Sequence, residues 1–187
     1  MERPLVTTEI RTSRVLLRLW RDTDREPFAV LNADPEVMEH FPNVLSRADS
    51  DALVDRIVAG IYQRGWGLWA LEVTATASFA GFVGLNMATF DAPFTPAVEI
   101  GWRLSRPYWS RGLATEAARS VLDHAFRSLD LEEVVSFTAA SNVRSQRVMQ
   151  KIGMRHDPAD DFDHPQLPEG HPLRRHVLYR MSRPFTT

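Results

Sequence analysis

Apolar positions recur along this chain with two distinct periods. Ala114, Ala117, Ala118, Val121, Leu122, Ala125, Phe126 and Leu129 fall at i, i+3, i+4, i+7, i+8, i+11, i+12 and i+15, which predicts one long amphipathic helix. Leu53, Val54, Ile57, Val58 and Ile61 make a second helical stripe. Ser46-Arg-Ala-Asp49 reads as a capping box ahead of it, and Gly65 as its stop. Over Pro96–Leu104 the period drops to two: Val98, Ile100, Trp102 and Leu104 alternate with Glu99, Gly101 and Arg103, which predicts a strand with one packed face. Further strands are expected over 13–20, 66–73, 79–87, 133–139 and 174–181, the second and third as a hairpin. Short helical segments are expected from Asp22 through Leu31 and over Asp34–His40, and a longer one over Asn142–Ile152 that Gly153 stops. Residues 157–173, with four prolines, read as a long loop. Strands interleaved with helices imply a mixed sheet with helices on its faces.

Composition narrows the function classes. At 187 residues the chain suits a single domain, and 44% hydrophobic with 25% charged residues is ordinary for a soluble protein. The 22 basic and 24 acidic residues leave a formal charge of −2, so neither nucleic acid nor an anionic membrane is an expected partner. Cysteine is absent, which removes disulfides, thiolate nucleophiles and zinc–thiolate sites together. His40, His171 and His176 lack ligand spacing, so no metal is expected. Glu2, Glu9, Asp22 and Asp24 spoil the N-terminal stretch as a signal peptide, and no apolar run reaches membrane-span length; a cytoplasmic protein is the expectation.

The candidate chemistry begins at the mouth of the long helix, Trp109-Ser-Arg-Gly-Leu-Ala-Thr-Glu116. A helix start leaves N–H groups unpaired and carries partial positive charge, so it can hold a phosphate. Gly112 lets a ligand approach the main chain, Ala114 keeps the next turn low, and Arg111 adds a charge. Neither the P-loop pattern nor the dinucleotide fingerprint is present. An ordinary helix start with a glycine in the preceding turn is the other reading of the same residues.

A second block, Ser141-Asn-Val-Arg-Ser-Gln-Arg-Val-Met-Gln-Lys-Ile-Gly-Met154, places Asn142 at a strand-to-helix junction where it can cap, with Ser145 one turn on. The two blocks together resemble the signature segments of the GNAT superfamily of acyl-CoA N-acyltransferases. Thr12–Trp20, Asp34–Pro42 and Ala97–Trp102 resemble the branch that includes ribosomal-protein N-terminal acetyltransferases. The similarity runs in order across nearly the whole chain.

The resemblance implies an α/β fold: a GNAT-type mixed, mostly antiparallel sheet with helices on both faces and a splay between two central parallel strands, all in one domain over 1–187. It implies that acetyl-CoA is the cosubstrate, its pyrophosphate cradled by Trp109, Ser110, Arg111, Gly112, Leu113, Ala114 and Thr115. The strand ending in Arg103 and Leu104 would hold the pantetheine arm and polarise the thioester carbonyl, with Asn142 and Ser145 near the sulfur. Glu99 is the candidate base, directly or through a water; its alternative is a solvated or salt-bridged strand carboxylate, with Arg103 one available partner. Many family members carry a tyrosine acid where this chain has Met149, so either Ser145 protonates the departing sulfur or the thiolate, with a thiol pKa of about 8.5, leaves unaided; Tyr108 and Tyr179 are the substitutes. Arg144, Arg147, Lys151 and Arg155 are spaced as a basic stripe, either solvated or facing the adenosine 3′-phosphate. The acceptor is expected to be a primary amine, a peptide N-terminus or a small molecule, and a homodimer follows by resemblance only. The other function class is a catalytically silent acyl-CoA-binding module.

Overall fold

The two periods of apolar residues mark most of the elements seen in the computed structural model, which describes residues 9–184; Glu2, part of the stretch read for a signal peptide, lies outside them. The strands are β1 (Ile10–Arg11), β2 (Val15–Arg18), β3 (Leu68–Val73), β4 (Ser78–Ala88), β5 (Ala97–Leu104), β6 (Glu133–Ala139), β7 (Arg155–His156), β8 (Phe162–Asp163) and β9 (Arg175–Ser182). The helices are α1 (Arg25–Ala33), α2 (Arg47–Arg64), α3 (Leu113–Arg127) and α4 (Val143–Lys151). All strands join one sheet of order β1-β2-β3-β4-β5-β6-β9-β7, with β8 also on β9. Every pairing is antiparallel except β5 with β6. No helix among the described residues is long and apolar enough to cross a membrane.

Alternation along the strands gives each face its own core. On one face Val83, Leu85, Ile100 and Leu104 pack against Leu113, Ala117, Val121 and Phe126 of α3 and Met149 of α4. On the other, Phe82 packs with Phe28 and Leu31 of α1 and Val54 of α2. Glu99, Gly101 and Arg103 alternate with Ile100 and Leu104, so they face the α1 and α2 side. A buried ionic cluster ties α1 to the sheet: Arg18 donates to Asp24 at 2.7 and 2.9 Å and to Glu72 at 2.7 Å. Helix α2 is capped as its sequence suggests, Ser46 Oγ accepting from Asp49 N at 3.1 Å and Gly65 adopting φ 81° at its end.

Three elements differ from the sequence reading. Residues 34–40 turn rather than form a helix, because only Met38 N to Asp34 O closes a helical bond before Phe41 N returns to Met38 O. The first expected strand, 13–20, is shortened to β2, and a separate β1 precedes it, since Thr12 binds Val15 O through both N and Oγ1 and turns the chain between them. The loop over 157–173 contains β8, because Phe162 is drawn into an apolar cluster with Val135 and Leu178. A strand of that length leaves no periodic trace in sequence.

Candidate active site

A cleft of about 820 Å³ opens where β5 and β6 part, between the starts of α3 and α4. The two strands pair only at Glu99 and Val135, although both continue to Leu104 and Ala139. Ile100 O accepts from Ser136 Oγ at 2.9 Å, and Leu104 O from Trp109 Nε1 at 2.6 Å. Backbone groups alternate along a strand, so Trp102 turns its N–H and C=O to this same open edge, opposite a part of β6 that pairs with β9 instead.

At one end of the cleft lies the start of α3. Ser110 and Gly112 adopt φ 57° and 76°, left-handed values that swing the chain into Leu113. From Ser110 to Thr115 no backbone N–H meets an acceptor among the described residues; the next, Glu116 N, bonds Gly112 O at 3.0 Å. This run of open donors sits where the helix dipole is positive. The acid in the first turn does not oppose it. Glu116 turns aside to accept from Thr12 Oγ1 and Arg14 Nε, each at 2.6 Å; burial works against its charge, but these bonds outweigh it and hold its pKa below the usual range.

Two residues enter differently from the sequence expectation. The Trp109 N–H is already bonded to Arg106 O at 3.0 Å, so this residue reaches the cleft through its indole, over which the Arg144 guanidinium lies at 4.6 Å. Arg111 does not line the cleft; its guanidinium sits 5.9 Å from the Tyr108 ring centre and its carbonyl accepts from Arg14 Nη1 at 2.9 Å.

The wall opposite is the start of α4. Asn142 Oδ1 caps it by accepting from Ser145 N at 3.1 Å, while its amide nitrogen donates to Thr138 Oγ1 at 2.9 Å. Ser145 lines the cleft, and its hydroxyl has no partner among the described residues. Arg144, Arg147 and Lys151 line it too, but Arg155 has left the helix for β7, because α4 ends at Lys151 and Gly153 turns the chain at φ 91°. Met149 is buried in the core, and Tyr179 is buried with its hydroxyl accepting from Gln150 Nε2 at 3.2 Å. Neither lines the cleft, whereas Tyr108 does.

The far end of the cleft is built around Glu99. The side chain lines the cleft, and no hydrogen bond or ion pair reaches it among the described residues. Burial among protein atoms pushes its pKa up to about 8, although part of the side chain keeps contact with solvent through the cleft. Glu99 is not paired with Arg103. Arg103 Nη1 instead donates to Asn32 Oδ1 at 2.6 Å, and its guanidinium lies 4.1 Å from the Phe41 ring centre. Burial lowers its pKa to about 10. His40, His164 and His176 complete this end, each pushed down chiefly by burial. The sequence reading took His40 and His176 only as metal ligands to reject; Phe41, Asn32 and His164 it gave no role in the site. They come together from the α1 end, the 34–42 turns and the β8–β9 region, and no local spacing announces such a meeting.

Residues 14–155 match the family described as Acetyltransferase (GNAT) domain, and the chain belongs to that family. It is 33% identical over 192 residues to the Aspergillus fumigatus protein named FsC-acetyl coenzyme A-N(2)-transacetylase, covering 95% of this chain and 81% of that one. Among solved structures, a GNAT-family acetyltransferase from Bacillus anthracis superposes with TM-score 0.77 at 23% identity, covering 94% of this chain and 99% of that one. A structure titled RimL, ribosomal L7/L12 alpha-N-protein acetyltransferase in complex with coenzyme A, superposes with TM-score 0.74 at 16% identity, covering 94% and 97%, and shares the fold.

Proposed function

We propose that this acetyltransferase moves an acetyl group from acetyl-CoA directly to a primary amine in the cytoplasm, a protein N-terminal α-amine being favoured over a small-molecule amine. The observation that carries the reading is the run of open N–H donors from Ser110 to Thr115, which leads into a splay whose first paired residue is Glu99. The donors, with Arg144, Arg147 and Lys151 beside them, suit the phosphates of coenzyme A. When bound, the coenzyme supplies an acyl group activated as a thioester. Trp102 N–H on the open edge of β5 is a fixed donor for a carbonyl oxygen, in a cleft partly shielded from water. The printed name of the Aspergillus relative, with acetyl coenzyme A and an N(2) position, supports both donor and acceptor chemistry.

Glu99 takes the proton from the acceptor amine. With its pKa at about 8, the transfer from an α-amine near 8 is close to thermoneutral, whereas a lysine near 10.4 is about 3 kcal/mol uphill. The departing thiolate either leaves unaided, since a thiol pKa of about 8.5 is not far above neutral, or takes a solvent proton relayed through the Ser145 hydroxyl, which is reprotonated by water as it donates; Tyr108 is the tyrosine on the cleft wall that shares this capacity. A silent acyl-CoA-binding module is the second reading, favoured by the single fact that Met149, where many family members place a tyrosine, is buried.

Thiol release from acetyl-CoA, measured over peptide N-termini, polyamines and aminoglycosides, separates the two. Release with at least one amine, rising with pH towards about 8 in the native enzyme and flattened in Glu99→Gln, is expected. Coenzyme binding with no release for any amine would leave the module.

A further inference from the structure

Resting on the acetyl-transfer reading, we infer that the acceptor carries a carboxylate as well as its amine, and that Arg103 recognises that carboxylate while Glu99 meets the amine. The two side chains stand on the same face of β5, separated by Gly101 and two packed residues of the opposite face. Each is ionisable, set among protein atoms, and without an acidic or basic partner among the described residues. They do not neutralise each other. Glu36, the other acid at this end of the cleft, is already paired with Arg106 Nη1 at 2.5 Å.

The ground between them is open. A Cβ built on Gly101 would meet one atom within 4 Å, Glu99 Oε1 at 3.7 Å. The cleft floor therefore presents a carboxyl group able to take up an amine's proton, a bare backbone step and a guanidinium in sequence, which suits an acceptor with an amine at one end and a carboxylate at the other. An internal salt bridge at this site would have cost nothing in sequence, since Glu and Arg four residues apart on one strand face need only lean together. Instead Arg103 is held away by Asn32, itself fully buried and bonded to Ser50 Oγ at 2.9 Å. Phe41 and Phe82 flank the guanidinium with ring centres at 4.1 and 5.5 Å. Arg103 Nε is buried with no acceptor. A cation fixed by one neutral amide and walled by rings binds an incoming carboxylate more strongly than a hydrated arginine would, because less water must be displaced and the surroundings screen less.

Amine-to-carboxylate separation is set by the strand. Positions 99 and 103 are about 13 Å apart at Cα on an extended chain, and both side chains reach inward from there, so acceptors from a single amino acid to a tripeptide bracket the separation between the two head groups. Two sources share this chemistry: a free amino acid or short peptide with its own carboxylate, and a protein N-terminus with an acidic side chain in its first residues.

The test compares matched acceptors that differ in that group alone. The first arm pairs amino acids and di- to tripeptides with their carboxamides; the second pairs C-terminally amidated peptides carrying Asp or Glu at positions one to three with their Asn or Gln counterparts. Each is measured by thiol release from acetyl-CoA and by calorimetric titration into the enzyme saturated with coenzyme A. A preference of at least about tenfold in kcat/KM for the carboxylate member in either arm is expected, falling towards parity in Arg103→Met and partly kept in Arg103→Lys. If Arg103→Met does not fold, as its melting curve would reveal, the wild-type ratio and Arg103→Lys decide alone. Equal use of both members, with thiol released from both, would overturn the role of Arg103 and leave the acetyltransferase reading intact. Tighter binding of the carboxylate member with no release would keep Arg103 and remove acetyl transfer.

Discussion

Replacing Glu99 by glutamine should make the protein more stable, and only at high pH. The side chain lies in the cleft with no cation or hydrogen-bond donor beside it among the described residues, and its pKa rises from an ordinary 4.5 to about 8 through burial. Below about 4.5 the carboxyl is protonated in both the folded and the unfolded chain, so glutamine, of the same shape and also neutral, changes little. Between 4.5 and about 8 the unfolded chain ionises while the folded one holds its proton, and native stability falls with each step in pH. Above about 8 the loss is complete. At about 1.4 kcal/mol per pH unit, this interval corresponds to at most roughly 5 kcal/mol, and the solvent that reaches Glu99 through the cleft lowers it towards about half. Urea denaturation of native and Glu99→Gln protein at pH 5, 7 and 9 reads the difference directly, and subtracting the two curves cancels every other titrating group. The gap should be near zero at pH 5 and about 2 to 5 kcal/mol in favour of the variant at pH 9. A gap that does not change with pH would mean that Glu99 ionises normally, and would remove the pKa match on which its role as base depends.

Two further perturbations probe the cleft and its support. Gly112→Glu places a carboxylate among the open donors at a residue with φ 76°, so coenzyme A affinity by calorimetry should drop at least about a hundredfold while the melting temperature falls only a few degrees; unchanged affinity would end the cradle assignment. Arg18→Met leaves the buried Asp24 without its cation and Glu72 with only the more exposed Arg21 at 3.0 Å, and should cost about 3 to 5 kcal/mol in denaturant unfolding. A loss under about 1 kcal/mol would show that the cluster is solvated rather than buried.

Local features of this protein are written in its local sequence. The stripe from Ala114 to Phe126 decides α3 because a 3.6-residue period brings those side chains to one face wherever the helix is placed, and the alternation over 98–104 decides β5 for the same reason with period two. The glycine at the mouth of α3 and the asparagine cap of α4 are equally short-range, since each acts on the chain within a turn of itself. What those residues face is another matter. That Trp109 offers its ring rather than its amide depends on a turn closed by Arg106, and that Arg103 avoids Glu99 depends on Asn32, 71 positions away. Arg155 leaves the basic stripe because β9 offers it a strand partner, and Phe162 becomes part of a strand because Val135 and Leu178 are there to bury it. Periodicity reports the direction in which a side chain points from its own backbone. Charge, burial and pairing in the cleft are set by which distant segments the sheet order brings together, and that is decided only when β5 and β6 part and the chain closes around the gap.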